Sequence, residues 1–178
     1  MEIFECIEAR FSYRGAYKNT PVPRKDLEKI LKAGVAAHSG CNKQTASFIA
    51  IDNAKILSSI CELIRKDGAE ENIPPAGICV LTQQIPGYAK VYFNVQDYAA
   101  ACENLLLAIT ALGYASCWIE GQVTANEKTQ AQIAKLLSIP KDYEVVAFLP
   151  IGLSEESINR PQYKPFEDRA WFNKFGNR

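Results

Sequence analysis

Val95-Gln-Asp-Tyr-Ala-Ala-Ala-Cys-Glu-Asn-Leu-Leu-Leu-Ala-Ile-Thr-Ala-Leu112, closed by Gly113, is the stretch that decides how this chain is built. Its apolar residues surround a helical projection almost completely, and such a helix belongs in the middle of a fold. Gly113 stands where a helix C-terminus needs a residue that accepts left-handed backbone. The uncharged run 104–119 is interrupted by Thr110, Gly113 and Ser116 and falls short of the ~20 apolar residues of a membrane span. It reads as a buried core helix followed by a strand at 114–119.

Toward the N-terminus, residues 2–9 put Ile3, Phe4 and Ile7 on one face of a short helix. A second helix is expected from Pro23, with Leu27, Ile30, Leu31, Gly34 and Val35 at helical spacing. The run 47–51 reads as a buried strand, and Asn53 or Asp52 is placed to cap a helix carrying Ile56, Leu57, Ile60, Leu63 and Ile64. A second apolar strand covers 78–82. Residues 83–94 form an irregular segment whose Tyr88, Tyr92 and Phe93 could cover a ligand or pack on the core.

Toward the C-terminus, Thr124 and Glu127 make a capping-box pattern for a helix running to Leu137, which Pro140 stops. Residues 143–151 are the strongest strand signal of the chain. The remainder, 152–178, has little period yet holds Phe166, Trp171, Phe172 and Phe175, aromatics that a free tail would not keep. Docking on a partner subunit is the expectation for this arm.

One domain spanning 1–178 is expected, since 178 residues with 48% hydrophobic content suffice for a single core. Twenty acidic and twenty basic residues cancel, so no net field draws the chain to nucleic acid or an anionic membrane. The charged N-terminal stretch lacks an apolar export signal. Six scattered cysteines, without CxxC or zinc spacing, read as reduced thiols of a cytoplasmic protein.

Four constellations could carry chemistry. Arg10-Phe11-Ser12-Tyr13-Arg14 puts two guanidinium groups and a hydroxyl on one side of an extended segment, which suits a phosphate monoester; taken alone, a solvated basic stretch is the commoner reading. Ser39-Gly40-Cys41-Asn42-Lys43-Gln44 is a loop rich in neutral donors and acceptors, fit for a heteroaromatic edge or simply for a turn. Trp118-Ile119-Glu120-Gly121 ends a strand where glycine lets backbone approach a flat ligand. Arg160, Lys164 and Arg169 could fold back on a phosphate or merely keep the tail solvated.

Standard alternatives are missing. The sequence contains no GxGxxG after a strand and no GxxxxGK[ST]. His38 is its sole histidine, which leaves no catalytic triad with a choice of bases and no paired-imidazole metal site. A bound redox cofactor would supply the reactivity these side chains lack.

In this order, and followed by Phe148-Leu149-Pro150-Ile151-Gly152, the pieces resemble the FMN-dependent nitroreductase family across nearly the whole chain. The resemblance implies an α+β fold with a central, mainly antiparallel sheet flanked by helices. It also implies an intertwined homodimer in which the segment 153–178 embraces the other subunit, with two FMN sites at the interface.

Carried onto this sequence, Arg10, Phe11, Ser12 and Arg14 would hold the phosphate and ribityl end, with Arg160 or Lys164 assisting. Ser39, Gly40, Asn42 and Gln44 would reach in from the opposite subunit, and the backbone of Glu120 and Gly121 would face the reactive N5 edge. No side chain is assigned as catalytic, because the flavin carries the chemistry. The implied activity is a ping-pong transfer of hydride from NADPH or NADH to small oxidised acceptors such as nitroaromatics, quinones or flavins; the alternative is a non-enzymatic FMN store or redox sensor. Two departures bear on the loop. His38 precedes Ser39, and Thr45-Ala46 follows Gln44, where the family commonly has proline and Pro-Trp. Residues 83–94 are also short for a lid.

Overall fold

The computed structural model describes residues 1–65, 73–156 and 162–177. Six α-helices, α1 (Ile3–Ala9), α2 (Arg24–Val35), α3 (Ala54–Ile64), α4 (Asn94–Ala111), α5 (Gly121–Thr124) and α6 (Glu127–Leu136), accompany three strands, β1 (Ala46–Ile51), β2 (Ala76–Thr82) and β3 (Glu144–Ile151). The strands form one antiparallel sheet in the order β1-β2-β3, with Phe48 opposite Val80 and Val80 opposite Ala147. The ladder shifts between Val80 and Leu81, where Val146 is the extra residue. The bulge puts the consecutive residues Val146 and Ala147 on the same side of the sheet, with Val145 and Phe148 on the other.

Helices cover both faces. On one side, Leu27 and Ile30 of α2 and Leu105, Leu106 and Ile109 of α4 pack on Ile78, Val80 and Leu149. On the other, Leu57, Ile60 and Ile64 of α3 and Ile133 of α6 pack on Cys79, Leu81 and Phe148. Every residue of β2 is therefore buried, which is why its sequence is a continuous apolar run with no alternation. The α4 helix ends as expected, with Gly113 at φ 83°. Asn53, and not Asp52, caps α3, accepting from the Lys55 and Ile56 backbone N–H groups at 3.0 and 3.2 Å.

Two expectations need correction. Residues 114–119 are not a continuous strand; they pair through isolated antiparallel bridges, Ile119 with Phe148 of β3 and Ala115 with Gly152 just after it, and through a parallel bridge from Ser116 to Ser12. The two antiparallel bridges keep one register, and the pair between them sets Cys117 opposite Pro150, whose missing N–H interrupts the ladder. Thr124 does not start the long helix. It belongs to α5, its hydroxyl donating to the Glu120 carbonyl, and Asn126 caps α6 by accepting from Lys128 N at 2.9 Å. An extra helical turn inserted at 121–124 displaces the cap by two residues.

Among the described residues, no helix is long and apolar enough to cross a membrane. Among the described residues, large apolar side chains nonetheless remain exposed on α1, on the arm, and along 88–95 at Tyr88, Val91, Tyr92 and Val95. The α1 residues Ile3, Phe4 and Ile7 are uncovered within one chain, and the arm carries Tyr163, Phe166, Phe172 and Phe175 outward.

Candidate functional site

The segment 10–14 leaves α1 at Arg10 and runs beside 115–119, tied by Tyr13 N–H to the Ser116 carbonyl at 2.8 Å. Alternation then sorts its side chains. Tyr13 is buried, edge-on to Phe11 and to Tyr17, and its hydroxyl donates to the Ala16 carbonyl. Ser12 and Arg14 point outward together, Arg14 Nη1 lying 3.4 Å from the Ser12 carbonyl oxygen. Arg10 is drawn elsewhere: its Nε sits 3.3 Å from Glu103 Oε1 on α4.

The loop 39–44 is closed by its own chain. Ser39 Oγ accepts from Gln44 N–H at 2.9 Å, and the Asn42 and Gln44 side chains meet at 3.4 Å. One buried carboxylate holds both ends: Asp97 accepts from Gly40 N–H at 2.7 Å and from Thr45 Oγ1 at 2.8 Å. Cys41, Asn42 and Gln44 all have φ near +50° (51°, 53° and 50°), backbone that non-glycine residues adopt only when held there. Gly40 answers to packing, since a Cβ would stand 2.4 Å from the Phe93 ring. Phe93 is thus a wedge under this loop, while Tyr88 and Tyr92 remain exposed.

Glu120 and Gly121 form the entry to α5. Glu120 Oε1 accepts from the Tyr98 hydroxyl at 2.9 Å, and burial followed by that carboxylate pushes the Tyr98 phenol up to about 12. Trp118 lies edge-on to Tyr98. At Gly121 an added Cβ would meet nothing within 4 Å, so the chain's own packing makes no demand for glycine there. Ser116 Oγ and Trp118 Nε1 are buried without partners among the described residues, each at a cost of about 1–3 kcal/mol unless a ligand or water satisfies it.

A cavity of about 280 Å3 joins two of these segments: Arg14 and Gly15 line it together with Cys117, Ile119 and Gln122. The loop 39–44 lies apart. Asp97, which anchors it, and Glu103, which anchors Arg10, stand about 120° apart around α4 and about 9 Å along it. Among the described residues, no hydrogen bond or ion pair joins Arg10, Ser12 or Arg14 to the loop. Arg160 lies outside the described residues, and Lys164 is exposed on the arm.

Sequence reasoning missed Asp97, Tyr98, Glu103 and the role of Phe93. A signal was present for two of them, because a charge on a helix otherwise apolar all round must have a partner.

A profile of the nitroreductase family matches residues 7–153. A protein of Methanothermobacter thermautotrophicus, provisionally named NADH dehydrogenase/NAD(P)H nitroreductase, is 30% identical over 161 residues, covering 88% of this chain and 80% of that protein. One of the same provisional name from Archaeoglobus fulgidus is 29% identical over 156 residues, covering 85% and 87%. The crystal structure of a nitroreductase with bound FMN from Bacteroides fragilis superposes with a TM-score of 0.72 at 27% identity, covering 93% of this chain and 96% of that one. With matched residues running from the end of α1 through β3, this chain belongs to the nitroreductase family.

Proposed function

We propose that the chain is an FMN-dependent NAD(P)H oxidoreductase working as a homodimer on small oxidised acceptors such as nitroaromatics, quinones or flavins. The observation that carries this reading is the pairing of Ser12 with Ser116, which sets the outward-pointing Ser12 and Arg14 beside the segment that leads into the Glu120–Gly121 turn. The open face of Gly121, where a Cβ would meet nothing within 4 Å, leaves room for a flat ligand against this turn. FMN, when bound, would supply the hydride-transfer chemistry between NADPH or NADH and the acceptor, and alternate half-reactions at one site would give ping-pong kinetics.

The chain's residues then have distinct tasks. Arg14 and the Ser12 hydroxyl hold the phosphate, while Arg10, partly neutralised by Glu103, adds a weaker contribution; Phe11 backs this segment, and Lys164 or Arg160 completes it from the arm. The backbone at Glu120 and Gly121 faces the ring edge, with the Glu120 carboxylate turned aside by Tyr98. Because the two sets lie on different sides of α4, Ser39, Gly40, Asn42 and Gln44 serve the flavin of the partner subunit. The exposed aromatics of the arm supply apolar area for that embrace. Unpaired cysteines fit a reducing, cytoplasmic setting.

The test is the visible spectrum of the purified protein, before and after anaerobic NADPH or NADH, then after a quinone or nitroarene. Bleaching and recovery of a yellow chromophore are expected. A flavin that stays oxidised would mark a storage or sensing module, and a protein that takes up no FMN would overturn the reading.

A further inference from the structure

Tyr98, near the start of α4, donates its hydroxyl to Glu120 Oε1 at 2.9 Å. Its ring is buried in the core cluster that holds Val80, Leu105 and Val146, with Trp118 edge-on at 6.4 Å between ring centres. Phenylalanine would fill that space equally well, so packing calls for the ring and not for the hydroxyl. Burial and then the carboxylate push the phenol up to about 12, which keeps it a neutral donor at ordinary pH. The main chain of Glu120 is fixed separately. Its carbonyl accepts from the Val123 and Thr124 N–H groups, both at 2.8 Å, and from the Thr124 hydroxyl at 3.1 Å, which starts α5. Among the described residues, no ion pair reaches the Glu120 carboxylate, and the Tyr98 hydroxyl is the one side-chain donor tied to it. That bond draws the charge toward α4, while the next residue, Gly121, has open space where a Cβ would stand.

We infer that Tyr98 is a positioning residue: by holding the Glu120 carboxylate toward α4, it keeps a negative charge off the open face of Gly121 and so sets how readily a bound flavin is reduced. The inference rests on the flavin reading, which lays the ring edge of FMN against that face. Hydride brings negative charge onto the ring system, and a carboxylate turned toward it opposes that gain most strongly where water is excluded. Without the Tyr98 hydroxyl, the carboxylate loses its tie to α4 and gains the space beside Gly121. Tyr98 therefore acts through Glu120, and its influence disappears once Glu120 carries no charge.

The experiment compares wild type, Y98F, E120Q and Y98F/E120Q, each loaded with FMN. Cofactor affinity is read by flavin fluorescence, and midpoint potential by anaerobic reductive titration against a reference dye. Y98F is expected to bind oxidised FMN within roughly threefold of wild type, with a potential lower by about 30 mV, a tenfold change for a two-electron couple. In the E120Q background, Tyr98→Phe is expected to leave the potential where it was, because there is no charge to release. E120Q alone is expected to leave the potential level or to raise it. An unchanged potential in Y98F, an equal fall with and without the Glu120 carboxylate, or a loss of FMN affinity of about tenfold or more in Y98F would each overturn the role of Tyr98 alone. A fall in E120Q would do so even if Y98F did not fold. Wild-type protein that takes up no FMN would overturn the flavin reading and this inference with it.

Discussion

The loop 39–44 and the arm 162–177 are both expected to serve the second subunit, yet they are built in opposite ways. The loop is finished inside one chain: a buried carboxylate grips its two ends, a serine closes it, and Phe93 wedges against Gly40. The arm has one short 3-10 turn and carries its aromatics outward. A contact that must position polar atoms on a ligand profits from being set before association, because no ordering entropy is then lost on binding. A contact that supplies apolar area can be ordered by association itself.

Breaking the arm should have the largest effect. Deleting residues 153–178 is expected to yield monomers or aggregates without flavin, read by sedimentation; a well-folded, flavin-loaded truncation would show that the arm is dispensable. Next comes the loop anchor. Asp97→Ala strands the Gly40 N–H and the Thr45 hydroxyl and is expected to cost about 2–4 kcal/mol, visible in thermal unfolding. Asp97→Asn, which keeps one acceptor, should cost roughly half as much, and equal losses would place the effect in charge and not in the two hydrogen bonds.

Gly40→Ala is the sharper probe of the wedge. Driving a methyl group into Phe93 is expected to cost about 1–3 kcal/mol, and combining it with Phe93→Leu should lose less than the sum of the two changes. Strict additivity would mean that the ring is not what excludes a Cβ. Smallest in stability is the double change Arg10→Ala with Arg14→Ala, within about 1 kcal/mol because both side chains are at least partly solvated. Its FMN retention should nonetheless fall more than tenfold, and equal retention would contradict the phosphate assignment.

The parts of the fold visible in the sequence were those set by burial. The all-round apolar α4 and the unbroken runs of β2 and β3 could have been nothing else, and Gly113 marked its helix end as expected. The parts that escaped were decided by competition among neighbours. The segment 114–119 has strand composition, but its pairing depends on what 10–14 and β3 present to it, and the cap of α6 moved because 121–124 coiled first. For the candidate site the contrast is similar. Arg10, Ser12 and Arg14 could be named from spacing, whereas Glu103 drawing Arg10 away, Asp97 spanning the loop and Tyr98 holding Glu120 arise between residues tens of positions apart.

The chain has two tryptophans, one in the extended segment before α5 and one in the arm. Trp118 sits edge-on to Tyr98 against the core, while Trp171 packs on Phe175 in the arm, with ring centres 4.1 Å apart. Intrinsic fluorescence therefore carries two separable messages. If the proposed flavin and dimer form, emission from a Trp171→Phe protein would follow changes around Trp118 and emission from a Trp118→Phe protein would follow changes in the arm, so the order of cofactor uptake and subunit association would be a matter of which signal moves first.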